Sequence, residues 1–550
     1  METDMTSDRT VPSLPPLLDA VHNRETAFTN EERHKNGTLG LLPDAVETLD
    51  RQMERVLWQL DSKSNDLERF LHLNGLSQRN ETLFFKVVMS DPKRFLPIVY
   101  DPTIADACLQ YSRLFERPQG MYLSLRHKGR VKEVLANWPE KDVRFICVSS
   151  GGRILGLGDI GANGMGIPVG KLQLYTACAA IPPQGLMPML LDIGTTNQEL
   201  IDDPLYLGLR QAPPSSDELD AFVDELVAAI QELYPRCCLH FEDWKGDDAI
   251  RLLARYRDKI LCYNDDIQGT AAITIAGLDT ALSIKGEALK EQRILFYGAG
   301  SAGIGIANMI VSALQDEGLS EADARARISM MDINGLIEPS RQDLNASQEV
   351  FAHSHAATKD LAEAVRAIKP TVLIGVSTNA GGFTEEVVRT MASINDRPVI
   401  FALSNPTDKA ECTAEQAYRW TDGRALFAAG VQFDDVTLNG KTLTPGQANN
   451  FYIFPAVALA VWATQARRIT DEVFLEAAKA TAEQVTTEQR THGLLFPPQK
   501  DVLRVEINTA IKVARQIFKS GLAQVPEPED IVDWIEAKLY RPEYTTLEEN

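Results

Sequence analysis

Apolar residues between about 43 and 111 recur at three- and four-residue spacing, which predicts helices over 45–60, 66–73 and 81–88. Near Gly120 the texture changes. Short apolar runs at 143–148, 186–191, 237–241 and 260–263 alternate with helical stretches, of which 215–234 opens on a capping box from Ser215 to Glu218. A second series of such runs follows at 293–297, 328–331, 371–376 and 399–403. Alternation of this kind predicts largely parallel sheets covered by helices, with ligands gathering at the carboxyl ends of the strands. Residues 1–40 are polar, carry Pro12, Pro15 and Pro16, and read as an arm, as does the acidic tail from 526 onward.

These patterns divide the chain into an arm and helical lobe over 1–118 and an α/β substrate and metal domain over 119–265, completed by 450–525. A Rossmann-type dinucleotide-binding domain over 266–449 and a C-terminal arm over 526–550 make up the rest. The fold class is α/β. At 550 residues the chain is too long for one core.

Two consecutive strand-like runs end in pairs of acids, Glu242-Asp243 and Asp265-Asp266, with a helical pattern over 247–256 between them. Such acids often serve as helix caps or solvated loop residues. Two pairs on adjacent strand ends point instead to a cation, and oxygen donors without His or Cys suit Mg²⁺ or Mn²⁺ rather than zinc. After the run at 143–148 comes a glycine-dense loop, residues 151–170, whose interleaved Ile, Leu, Met and Pro argue against a flexible linker. Lys171 follows at the expected start of a helix over 172–180. A cation is disfavoured there, and desolvation would loosen its proton, so a basic catalyst is favoured over a surface lysine.

The run at 293–297, the segment Gly298-Ala299-Gly300-Ser301-Ala302-Gly303 and an apolar helix over 304–314 form a G-x-G-x-x-G turn in strand-turn-helix context. The glycines allow a tight turn and backbone approach to pyrophosphate, whose charge the helix N–H groups accept. Asp332 ends the next strand, placed for the adenosine ribose. It comes later than the usual spacing of about 20 residues, an excess that 316–325 absorbs as a longer helix. Asn405 lies at another strand end, suited to nicotinamide or substrate and equally to a turn before proline. Asn449 and Asn450 precede an apolar helical run, 452–464, and suit an N-cap as well as a ligand contact.

Charge and cysteine use narrow the partners. A formal net charge of −22 disfavours nucleic acid and anionic membrane surfaces. Seven cysteines without C-x-x-C give neither a disulfide framework nor a zinc motif. The acidic N-terminus resembles neither a transit nor a signal peptide, so a cytoplasmic location is expected. The longest apolar run, near 454–463, is about half of a membrane span.

With these residues in place, the chain resembles the malic enzyme family from about residue 40 to 520. The resemblance is carried by Val99-Tyr100-Asp101-Pro102-Thr103, the segments 153–159 and 164–171, Phe241-Glu242-Asp243, the segment 264–270, the fingerprint at 298–303, Ser404-Asn405-Pro406 and Asn449-Asn450. It implies Glu242, Asp243 and Asp266 as metal ligands, Lys171 as general base, Asp265 as its partner and Tyr100 as general acid. It further implies Arg153, Asn405 and Asn450 as substrate-binding residues. The family commonly has Asp-Gly-Glu-Arg at Ser150–Arg153 and Ser-Gly-Ser-Pro-Phe at Ala429–Phe433. Trp244 stands where a phenylalanine is common.

The implied reaction is oxidation and decarboxylation of L-malate to pyruvate and CO₂ with NAD(P)⁺. A malolactic enzyme, releasing lactate, is the nearest alternative. NAD is expected over NADP, because Asp332 is followed by the uncharged Ile333 and Asn334, and a family position with an NADP-binding lysine aligns with Gln348. Arg341 could still serve a 2′-phosphate. The resemblance also implies a homodimer or homotetramer and a dicarboxylate activator site at Glu47, Arg55 and Arg79. Locally, the two arginines read as surface charges.

Overall fold

The computed structural model describes residues 16–154 and 156–544. Leu155 and the outer parts of the expected arms, 1–15 and 545–550, lie outside the described residues. The chain forms two compact units, Met1–Ile104 with Arg541–Asn550, and Ala105–Tyr540.

The first unit is helical. Leu49–Asp61, Asp66–Ser77, Glu81–Ser90 and Pro92–Val99 are each opened by a side-chain cap, from Thr48, Asn65, Asn80 and Asp91. Their apolar stripes meet at Val56, Leu60, Leu73, Leu76, Phe84 and Phe95, all buried. The polar segment before them is more than an arm. Asn30–Lys35 is a helix opened by a capping box between Thr29 and Glu32, and the buried Arg33 guanidinium donates to the carbonyls of Phe28, Thr26, Pro43 and Ala45. Backbone acceptors stand in for apolar residues here, which a hydropathy pattern does not register. Tyr544 belongs to the same unit, its hydroxyl donating to Gln52 at 2.7 Å and accepting from Asn80.

The second unit carries two main sheets. The first is wholly parallel and has five strands in the order β1-β3-β2-β4-β5. These are Met121–Ser124 (β1), Phe145–Ser149 (β2), Leu186–Asp192 (β3), Cys238–Glu242 (β4) and Cys262–Asn264 (β5). The chain leaves β2 toward β3 on one side and returns to β4 on the other, so the switch point lies between β2 and β4, where Ser149 pairs with Glu242. The second sheet has seven strands, Ile294–Tyr297 (β6), Ile328–Asp332 (β7), Gly335–Leu336 (β8), Val372–Gly375 (β9), Val399–Ala402 (β10), Leu426–Ala429 (β11) and Gly446–Gln447 (β14). A separate hairpin, Val436–Leu438 (β12) with Lys441–Leu443 (β13), interrupts the count. The order β14-β11-β10-β9-β6-β7-β8 places the second switch point between β6 and β9, at the glycine fingerprint.

Two helices differ from expectation. The helix expected over 172–180 begins earlier and spans Gly166–Ala179. Gly166, Pro168 and Gly170 read as loop residues, yet a proline in the first helical turn forfeits no hydrogen bond. The expected longer helix after the fingerprint is two pieces, Ser301–Asp316 and Glu321–Arg325. The apolar stretch Asp265–Lys285, 21 residues, is long enough to cross a membrane, but 72% of its most apolar window is buried inside the fold.

Candidate active site

The acids at the two strand ends converge. Oxygens of Glu242, Asp243 and Asp266 lie within 4.8 Å of one another, and the Asp243 amide donates to Asp266 Oδ2 at 2.8 Å. Asp243 sits at φ 53°, in the left-handed region, where a short polar side chain is better tolerated than most. Asp266 leaves β5 through a turn of π-helix, Asp265–Gly269, a local widening that aims both acids inward. Burial pushes the Glu242 carboxyl up to about 7. Burial and mutual repulsion hold Asp243 and Asp266 well above the ordinary carboxylate range. Three clustered carboxylates, two of them buried, offer only oxygen donors and fit a hard divalent cation, which would relieve that repulsion.

Lys171 stands beside this cluster and is 4% exposed. Its Nζ contacts Asp265 Oδ2 at 2.5 Å and Glu242 Oε1 at 3.0 Å, and lies over the Phe454 ring at 4.6 Å. Because the helix starts at Gly166, Lys171 is in its second turn rather than at its N-terminus. Placement at a helix start therefore gives no account of its chemistry, and the two carboxylates dominate its field. Asp265 Oδ1 is buried without a hydrogen-bond partner among the described residues. That oxygen sits 1.8 Å from where a Cβ on Gly269 would be, so only glycine admits it.

The other expected site residues divide between the units. Asn450 donates to Asp265 Oδ2 at 3.0 Å and Thr270 Oγ1 at 3.2 Å, which places it behind the Lys171–Asp265 pair, and Asn449 caps the turn Asn450–Tyr452. Arg153 is exposed and makes no ion pair among the described residues. A Cβ on Gly246 would meet Arg153 Nη1 and Ser301 Oγ, each at 3.2 Å, so the loop after β4 brings this arginine to the nucleotide fingerprint. Gly156, at φ 68°, has Pro406 Cδ 2.3 Å from a would-be Cβ, so the glycine loop also abuts the Asn405 turn. Tyr100 lies in the first unit, buried at the end of the Pro92–Val99 helix. Glu47 pairs with Arg55 there, whereas Arg79 pairs with Glu25 at 3.2 Å.

At the fingerprint, a Cβ on Gly298 would strike the Val376 carbonyl at 2.5 Å and one on Gly303 the Gly298 carbonyl at 2.4 Å. Gly300 faces open space. Gly298 and Gly303 thus serve the turn and helix packing, while Gly300 with Ser301 and Ala302 leaves a helix N-terminus bare for phosphate. Asp332 does not stand alone. Arg341 donates to its two oxygens at 2.8 Å each and also reaches Asp343. Gln348 Nε2 donates to the Ala299 carbonyl, tying its loop to the fingerprint. Sequence reading missed three residues: His240, Tyr175 and Tyr263, which form a buried cluster behind Glu242. The alternation along β4 that puts His240 on the face of Glu242 was the available signal.

A parallel sheet with buried acids at its switch point, joined to a dinucleotide-binding sheet, defines a dinucleotide-dependent dehydrogenase class. The description "Malic enzyme, N-terminal domain" matches residues 77–257, and "Malic enzyme, NAD binding domain" matches residues 267–518. The chain is 47% identical over 528 residues to the NADP-dependent malic enzyme of Mus musculus, covering 96% of this chain and 92% of that one. It is 46% identical to the Homo sapiens NADP-dependent malic enzyme with the same coverage. The Entamoeba histolytica malic enzyme structure has the same fold, with TM-score 0.57 at 24% identity over 80% of this chain and 79% of that one. The chain belongs to the malic enzyme family.

Two expectations change. The relatives are named NADP-dependent malic enzymes, which overturns the expected preference for NAD. That expectation counted charges beside Asp332 along the sequence, whereas Arg341, nine residues on, folds back onto the carboxylate. The lactate-releasing alternative finds no support among these relatives.

Proposed function

We propose that the chain oxidatively decarboxylates L-malate to pyruvate and CO₂ while reducing NADP⁺, with Lys171 as general base. The observation that carries this reading is the Lys171 ammonium held between Asp265 and Glu242 beside a three-carboxylate cluster. Glu242, Asp243 and Asp266 are suited to hold Mg²⁺ or Mn²⁺, which when bound supplies polarisation of the substrate's C2 oxygen.

Both carboxylates favour the charged form of Lys171. A cation held by Glu242, Asp243 and Asp266 would draw Glu242 away from Lys171, whose amine would accept the C2 hydroxyl proton as hydride leaves C2 for the nicotinamide. Asp265, fixed by Asn450, orients the amine. Arg153 is free to pair with a substrate carboxylate, for which its planar fork is suited, and Asn405 completes the wall on the dinucleotide side. The C3–C4 bond of the oxidised substrate breaks to release CO₂, and the resulting enol takes a proton at C3 to give pyruvate. Arg341 offers the cation for a 2′-phosphate, with Asp332 holding it in place.

Absorbance at 340 nm with malate, Mn²⁺ and NADP⁺ tests the reading. Native protein is expected to turn over with stoichiometric pyruvate. Lys171→Ala is expected to lose about 10²- to 10⁴-fold in kcat. An unchanged rate in the variant removes the base assignment.

A further inference from the structure

We infer that His240, backed by Tyr175 and Tyr263, is a positioning residue that fixes the Glu242 carboxylate for cation binding. This rests on Glu242 being a cation ligand, as proposed above.

The geometry begins with two periodicities. Along β4, side chains alternate faces, so His240 and Glu242 share one face while Leu239 and Phe241 enter the opposite core. Along the Gly166–Ala179 helix, Lys171 and Tyr175 are one turn apart and so share a face as well. The two rows meet rung to rung. Lys171 Nζ reaches Glu242 Oε1 at 3.0 Å, and Tyr175 Oη reaches His240 Nδ1 at 2.9 Å. Between the rungs, His240 Nε2 lies 2.8 Å from Glu242 Oε2. Tyr263, paired with His240 across β4 and β5, puts its hydroxyl 3.1 Å from Nδ1 and in contact with that of Tyr175.

Donor accounting then orders the cluster. An ionised Glu242 only accepts, so Nε2 carries the proton and Nδ1 of the neutral ring accepts. One tyrosine hydroxyl donates to Nδ1 and the other donates to its neighbour's oxygen. Every proton in the row points toward Glu242, and none of these side-chain atoms is left unpartnered. His240, Tyr175 and Tyr263 are all 0% exposed, so no water competes for the carboxylate. Glu242 is thus held by both oxygens in one orientation before any cation arrives. A ligand oriented from behind binds metal more tightly than one that must be ordered on binding.

Stacking supplies a competing explanation, because the His240 and Tyr263 rings lie 4.5 Å apart at 24°. The variants separate the two. His240→Phe keeps the ring and removes the donor, whereas His240→Gln keeps a nitrogen donor at similar reach. Mn²⁺ binding to the full-length metal-free protein, read from the EPR signal of free Mn²⁺, is compared with thermal unfolding of each variant. His240→Phe is expected to bind Mn²⁺ roughly 10- to 100-fold more weakly, and His240→Gln to recover most of that loss. Tyr263→Phe is expected to show a smaller loss in the same direction, and it decides the matter if His240→Phe does not fold. Native Mn²⁺ affinity in folded His240→Phe, or in Tyr263→Phe when that variant must decide, overturns the inference, as does an equal loss in the Phe and Gln variants. Glu242→Gln is the control: unchanged Mn²⁺ affinity there overturns the cation site itself, a failure distinct from that of His240.

Discussion

Asp265 shows how much one residue's chemistry depends on another's absence of a side chain. Its Oδ2 serves both Lys171 and Asn450, while Oδ1 occupies the space a Cβ on Gly269 would need. Gly269→Ala must therefore push Asp265 off Lys171 or unwind the turn. We expect kcat to fall by at least about 10²-fold, as for loss of a positioned proton-transfer group, with the NADP⁺ KM little changed. A kcat within twofold of native would show that Asp265 does not hold the base. At the other end of the cofactor, Arg341 lies between Asp332 and Asp343, which hold its guanidinium charged. Arg341→Gln removes the cation proposed for the 2′-phosphate and would leave Asp332 to repel that group. One charge-assisted contact is worth about 1.5–3 kcal/mol, so kcat/KM for NADP⁺ is expected to fall roughly 10- to 100-fold while that for NAD⁺ changes little. An unchanged ratio between the two cofactors would overturn the assignment.

Between elements, the helix Phe454–Thr464 is set by a buried acid on its neighbour, Val502–Lys519. Pro455 has no N–H, and Ala456 N donates to Glu506 Oε2 at 2.7 Å, while Oε1 has no hydrogen-bond partner among the described residues. This helix carries Phe454 onto Lys171, so the acid supports the site from behind. Burial raises the Glu506 carboxyl well above its ordinary 4.5. The native state then prefers the proton more than the unfolded state does. The carboxyl's contribution to stability is full below about 4.5 and is lost as pH rises through the raised native value. Glu506→Gln keeps the acceptor and cannot ionise. Its urea midpoint is expected to gain on native protein steadily as pH rises above about 4.5, whereas Glu506→Ala loses about 1–3 kcal/mol by orphaning the Ala456 amide. A pH-independent gap between native protein and the Gln variant would remove this account. Strands β2 to β7, β9 and β10, the Ser215 capping box and the glycine fingerprint were legible in the sequence because each is written in local spacing, whereas β1, β8 and β11 to β14 were not read. The true start of the Gly166–Ala179 helix was hidden by Pro168 and two glycines, which read as loop although the first turn tolerates them. Glu242 and Asp266 were legible as strand-end acids, and β4 alternation put His240 beside Glu242, whereas the backing of His240 by Tyr175 and Tyr263 and the grip of Arg341 on Asp332 are set by the fold, and no spacing rule encodes them.

Over the whole molecule the question is how many parts unfold separately. The sequence divides at 265 into substrate and dinucleotide parts, yet both sheets fall within one compact unit, Ala105–Tyr540. Inside it the loop after β4 touches the start of the Ser301–Asp316 helix, and the glycine loop touches the turn after β10. All seven cysteines lie in this unit, all are buried, and none is paired. Burial raises every one of their thiols, Cys108 and Cys262 to about 12, so a thiol reagent at neutral pH meets neither access nor thiolate. Native protein is expected to leave all seven unmodified over minutes, and denatured protein to expose all seven. Cys147, Cys238 and Cys262 lie on strands of the first sheet, and Cys412 packs in the core of the second. If the two sheets unfold as one cooperative unit, Cys412 becomes reactive at the same urea concentration as Cys147, Cys238 and Cys262. Mass spectrometry of labelled peptides across a urea series reads this directly. Labelling of Cys412 well before or after the other three would show that the contacts through Gly246 and Gly156 do not join the sheets into one folding unit, and that the division at 265 is also a division in stability.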